Sequence, residues 1–125
     1  MILLLDAHAF LWWLRDEAGL HPGARTAIAD PANEVIVSAA TIWELEIKRA
    51  LGKLEAPSDL VATIQAESFS WLPVLGEDAA RAGRLPLHHR DPFDRMLIAQ
   101  ATRLDAVIVS RDRAFDAYEV PVLRA

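Results

Sequence analysis

The chain has 125 residues, 53% of them apolar, a net charge of −5 and no cysteine. That length suits one domain spanning 1–125 with a real core, and too little chain for two. The acidic balance argues against a broad electrostatic footprint for nucleic acid. The missing cysteines exclude disulfides and thiolate metal sites and fit a reducing cytoplasm. The opening apolar run is far too short to span a membrane or serve as a signal segment.

Ile2–Leu5 reads as a buried strand, a short apolar run ending at Asp6. His8 to Arg15 reads as a helix that is apolar on nearly every side, from Phe10 to Leu14, and so must be covered all round. After a turn at Leu20–Gly23, Ala24 to Ala29 forms a short helix ended by Asp30-Pro31. Val35–Val37 is the second strand, and Ala39 to Leu51 a helix stopped by Gly52. Pro57-Ser58-Asp59 opens a helix running to about Glu67. Trp71–Val74 is a weaker strand whose Pro73 suits a sheet edge. Glu77 to Arg84 is helical, Leu85 to Arg90 a loop, and Pro92 to Leu104 a helix. Val107–Val109 is a strand, Arg113 to Ala117 a helical turn, and Val120 to Leu123 a last strand. Strands alternating with helices predict an α/β fold with a parallel sheet covered on both faces.

Four acids fall just after strands or early in helices: Asp6, Glu44, Asp94 and Asp112. In parallel α/β sheets the strand ends and the loops that follow build the ligand crevice, so acids distant in sequence can converge there. Each also has a purely structural reading. Asp6 suits a helix N-cap. Thr41-Ile42-Trp43-Glu44 fits a capping box, and Glu44 with Lys48 an i,i+4 ion pair. Asp91 reads as a cap with Pro92 at the first helical position, which leaves Asp94 favouring the positive helix end. Ser110 reads as the cap that accounts for Asp112.

If the four converge, their mutual repulsion calls for a cation, and oxygen donors select Mg²⁺ or Mn²⁺. His88 and His89 read as exposed loop histidines with little claim as ligands. A carboxylate-held metal supports phosphodiester hydrolysis. From Arg84 to Arg113 the chain carries six arginines against four acids, a locally basic stretch that suits either a solvated face or a phosphate contact. No Gly-rich phosphate loop or nucleophile elbow is present, and the tryptophans read as packing residues.

The segment Asp91-Pro92-Phe93-Asp94-Arg95-Met96-Leu97-Ile98-Ala99-Gln100-Ala101 resembles the PIN-domain nucleases, specifically the VapC-type toxins of VapBC toxin–antitoxin pairs. Leu3-Leu4-Leu5-Asp6, Ser38 to Glu44, and Val107 to Asp112 join it in the family's order, so the resemblance spans essentially the whole chain. It implies a five-stranded parallel sheet between helices, Mg²⁺ or Mn²⁺ at its carboxyl edge, and endonucleolytic cleavage of RNA. Asp6 and Asp94 would be the principal metal ligands, with Glu44 and Asp112 completing the acidic site. Ser110 would orient a neighbouring acid. Ala7-His8 stands where many members carry a hydroxyl residue, and His8 would line the site instead. Arg95 or Arg111 would offset phosphate charge. The resemblance further implies a homodimer and an antitoxin whose tail covers the acidic groove.

Two other readings accompany this one. A Mg²⁺ phosphatase or phosphoryl-transfer domain would want a second aspartate at position 8, where this chain has histidine. A catalytically silent module would bind RNA or a partner without cutting.

Overall fold

A computed structural model describes residues 1–125. Five strands form one sheet: β1 (Ile2–Leu5), β2 (Glu34–Ser38), β3 (Ser70–Leu72), β4 (Val107–Ser110) and β5 (Val122–Arg124). Their order is β3-β2-β1-β4-β5, and every neighbouring pair is parallel. The six helices are α1 (Ala7–Leu14), α2 (Pro22–Ala29), α3 (Ala39–Ala50), α4 (Leu60–Ala66), α5 (Gly76–Arg84) and α6 (Pro92–Leu104), with a 3₁₀ turn at Arg113–Ala117. No helix is long and apolar enough to cross a membrane.

The unbroken apolar run of β1 follows from burial on both faces. Leu3 and Leu5 belong to one core with Phe10, Val35, Val37 and Leu45. Leu4, pointing the other way, joins Ile36, Ile108, Leu97 and Phe115 in a second. α6 fills that second face, so its entry point is fixed against the strand ends.

Several boundaries differ from the sequence reading, each for a local reason. α2 begins at Pro22, because His21 Nδ1 caps Gly23 N–H at 3.0 Å and proline is pre-set for a first helical position. β3 ends at Leu72, one residue before Pro73, and lies at the sheet edge as expected. β5 starts after Pro121, whose carbonyl still accepts from Ile108 N–H at 3.0 Å. Gly52, at φ +69°, takes the left-handed conformation that ends α3.

Candidate active site

Leu5 of β1 is in register with Val37 of β2 and Val109 of β4, so the three strands end side by side. Asp6 follows immediately and caps α1, its Oδ1 accepting from Ala9 N–H at 2.8 Å. Its Oδ2 accepts a short hydrogen bond from the hydroxyl of Ser110, the last residue of β4. The same Ser110 Oγ accepts from Asp112 N–H at 3.0 Å. Asp112 is the cap of the 3₁₀ turn, taking Ala114 N–H at 2.9 Å on Oδ1. The sequence reading of Ser110 as that cap is therefore corrected: Ser110 bridges the two aspartates.

The capping box at Thr41–Glu44 does not form. α3 starts earlier, at Ala39, and Ser38 caps it by accepting from Ala40 N–H at 3.0 Å. Glu44 is thereby in the second turn, 7% exposed, where its Oε2 meets Lys48 Nζ at 3.0 Å. Asp91 caps α6, accepting from Phe93 N–H at 2.8 Å and Asp94 N–H at 3.1 Å on one oxygen. Asp94 is then held in the first turn.

Asp6, Glu44, Asp94 and Asp112 line one cleft of 130 Å³, together with Asp91 and His8. Lys48, Trp12 and Arg111 form its remaining charged and aromatic border. Arg111 stands 4.2 Å over the Trp12 ring and donates to the carbonyls of Ala125, at 3.1 and 3.2 Å, and Gly19.

The electrostatics match the crowding. Burial pushes the Asp6 carboxyl up from its ordinary value; Glu44 adds to this, while the bonds from Ser110 and Ala9 and the charge of His8 work against it. Asp94 is pushed up to about 7, mainly by burial and further by Asp91 and Asp6, against the opposing hydrogen bond from His89. Carboxyls this reluctant to ionise together make a site that a cation would relieve.

Arg95 departs from its expected part. It is only 7% exposed, and its guanidinium donates to the carbonyls of Ala82 at 2.8 Å, Leu85 at 2.9 Å, and Pro86 and His89 at 3.1 Å. A guanidinium offers donors only, and both terminal nitrogens are turned onto backbone carbonyls at the end of α5 and in the loop after it, which directs the charge inward rather than toward the cleft. His89 departs in the opposite sense. Its Nε2 lies 2.7 Å from Asp94 Oδ2 with the ring largely covered, while neighbouring His88 packs edge-on against Tyr118. Two adjacent loop histidines give no sequence signal for this division, which the surrounding loop decides.

Donor atoms of His89, Asp94 and Asp112 all lie within 4.8 Å of one another. Hard carboxylate oxygens crowded at one sheet edge, with carboxyls driven toward protonation, fit a divalent cation such as Mg²⁺ or Mn²⁺.

The PIN-domain family model matches residues 3–121, and the chain belongs to the PIN-domain family. Its fold is similar to VapBC2 from Rickettsia felis bound to a DNA fragment from their promoter, with 12% identity and a TM-score of 0.69 over 99% of this chain and 98% of that one. It is also similar to FitAcB from Neisseria gonorrhoeae, with 18% identity and a TM-score of 0.64 over 97% and 96% of the two chains. For VapBC-5 of the VapBC family of toxin–antitoxin systems from Mycobacterium tuberculosis, the identity is 19% and the TM-score 0.62 over 99% and 98%. No curated protein sequence matches the chain.

Proposed function

We propose that this PIN domain, spanning 1–125, is a Mg²⁺- or Mn²⁺-dependent endoribonuclease and the toxin of a VapBC-type toxin–antitoxin pair. The observation that carries the reading is the convergence of Asp6, Glu44, Asp94 and Asp112 in one cleft at the carboxyl edge of the sheet. Asp6, Asp94 and Asp112 would hold the cation, and Glu44 completes the acid set from α3. When bound, such a cation lowers the pKa of its water and offsets charge on the phosphate. The protein's own part is orientation. Ser110 and Ala9 N–H fix both oxygens of Asp6, and Asp91 fixes the first turn that carries Asp94. Arg111 and His8, on the cleft border, are the groups offered to the RNA backbone.

The similarity to toxin–antitoxin complexes supports a protein antitoxin as partner, its tail covering the acidic cleft. A homodimer is supported by an exposed apolar face on α3, where Trp43 is 65% exposed and Ile47 and Leu51 follow at helical spacing. Beside Trp43, a 390 Å³ cleft walled by Val74, Phe93 and Met96 continues that face. An RNA-directed toxin would act in the cytoplasm, where its substrate is.

The test is sequencing of RNA 5′ ends after controlled expression of wild-type and Asp94→Asn protein, with purified proteins assayed on the same RNAs with and without Mn²⁺. New ends are expected with wild type only. Undiminished, metal-independent cleavage by purified Asp94→Asn would sink the assignment.

A further inference from the structure

The loop from Leu85 to Arg90 is built around two buried anchors that hold one side chain against the acidic cleft. Arg95 takes the carbonyls of Leu85, Pro86 and His89 on its guanidinium. Tyr118, from beyond β4, uses its hydroxyl twice: it donates to Pro86 O at 2.6 Å and accepts from His89 N–H at 3.0 Å. The backbone of His89 is thus pinned on both its N–H and its C=O. Its ring, packed edge-on at 6.3 Å from Phe115, has its Nε2 at 2.7 Å from Asp94 Oδ2.

We infer that His89 is a positioning residue for Asp94, held by the Arg95–Tyr118 anchor so that it occupies one carboxylate oxygen and leaves the other for the cleft. This rests on the reading of Asp94 as a metal ligand. As a metal ligand Asp94 is ionised and only accepts, and His89 then meets it with Nε2–H as the donor. His89 does not line the cleft that Asp94 lines, although its donor atom also lies within 4.8 Å of those of Asp94 and Asp112, so direct nitrogen ligation is the alternative that the variants separate. Partners of this kind orient a ligating carboxylate, and their loss typically weakens metal binding by about 10- to 100-fold. Ser110 serves Asp6 in the same manner. Each of the two principal acids therefore has a hydrogen-bonding side-chain partner delivered by a different segment.

The inference is tested by calorimetric titration of Mn²⁺ and of Mg²⁺ into the metal-free protein. His89→Ala is expected to weaken both by about 10- to 100-fold. His89→Gln is expected to restore most of the affinity, since its side-chain N–H₂ can reach the same oxygen. Tyr118→Phe, which frees the loop without touching the ring, is expected to give a smaller loss in the same direction. Melting temperatures of the metal-free variants separate these effects from unfolding. Loss with His89→Ala that His89→Gln does not rescue overturns the positioning part and points to direct nitrogen ligation. Wild-type affinity in both His89→Ala and Tyr118→Phe overturns the inference outright, while Asp94→Asn, run alongside, reports on the parent reading. If Asp94→Asn loses the metal and His89→Ala keeps it, only the part assigned to His89 fails. If Asp94→Asn keeps it too, the metal site itself is wrong.

Discussion

The hydroxyl of Ser110 donates to Oδ2 of Asp6 across 104 positions of sequence, tying the end of β4 to the end of β1. Both residues are buried, and the same hydroxyl oxygen accepts from Asp112 N–H, so one small side chain aligns two acids from different segments. Ser110→Ala removes a hydrogen bond to a buried carboxylate, worth about 1.5–3 kcal/mol. Urea unfolding of the metal-free protein is expected to register a loss of that order. Cleavage rate at saturating Mn²⁺ is expected to fall about tenfold or more. A wild-type rate with normal stability would show that Asp6 needs no such alignment.

The raised carboxyls give the metal-free protein an inverted pH dependence. Asp94 stands at about 7 in the folded protein against an ordinary 3.8, and Asp6 is shifted in the same direction. Between these two values the folded state binds a proton that the unfolded chain has released. Stability from this group is therefore full below about 4 and is lost as pH rises through about 7. Melting temperature is expected to fall across that window, and Asp94→Asn is expected to flatten the fall. Adding Mn²⁺ at pH 8 should restore wild type and leave Asp94→Asn unchanged. A wild-type melting curve that climbs steadily from pH 4 to 8 without metal would contradict this electrostatic picture.

Asp78, 1% exposed, accepts from Arg103 at 2.7 and 3.0 Å and from Leu75 N–H at 3.0 Å, joining α5 to α6. Burial alone would raise this carboxyl, yet the bonds and charge of Arg103 and the Leu75 N–H together hold it below its ordinary value. Arg103→Met keeps the packing of the stem and strands the carboxylate, at a cost of about 3 kcal/mol. The sign is opposite to that of Asp94. The contribution is present above about 4 and is lost on acidification through the folded value, so the difference between wild type and Arg103→Met is expected to shrink toward pH 2. Equal denaturation midpoints at pH 7 would rule out a stabilising pair.

Trp43 adjoins Glu44 in sequence but lies outside the acidic cleft, turned toward solvent and Phe93, whose ring centroid is 5.4 Å away. On the proposed dimer, wild type is expected to scatter light with the mass of two chains and Trp43→Ser with the mass of one, with far-ultraviolet dichroism unchanged. A monomeric wild type would overturn the proposed dimer, and a dimeric Trp43→Ser would take the contact off this face.

The strands and the start of α6 were legible because their determinants are local. Three apolar residues in register at β1, and Asp91-Pro92 ahead of an apolar-periodic stretch, each specify their structure within a few positions. The four acids were legible as a group because strand ends define where a parallel sheet builds its crevice. What escaped depended on distant contacts. Arg95 lies in the most recognisable segment of the chain, and only the fold shows its charge turned inward onto carbonyls. His88 and His89 are chemically identical neighbours that part company because Tyr118 and Arg95 set the loop. Ser38 took the cap expected at Thr41 because α3 follows β2 without a linker, leaving Thr41 to be buried.

The sheet order puts β4 directly beside β1, although the two strands stand near opposite ends of the chain. On the proposed reading this has a consequence during translation. A nascent polypeptide has Asp6, Glu44 and Asp94 before it has Ser110 and Asp112, and Asp6 has no hydroxyl partner until β4 is made. Premature termination anywhere before residue 110 therefore yields fragments without an assembled cleft. A ribosome making this protein would be exposed to its activity only once nearly the whole fold had been paid out.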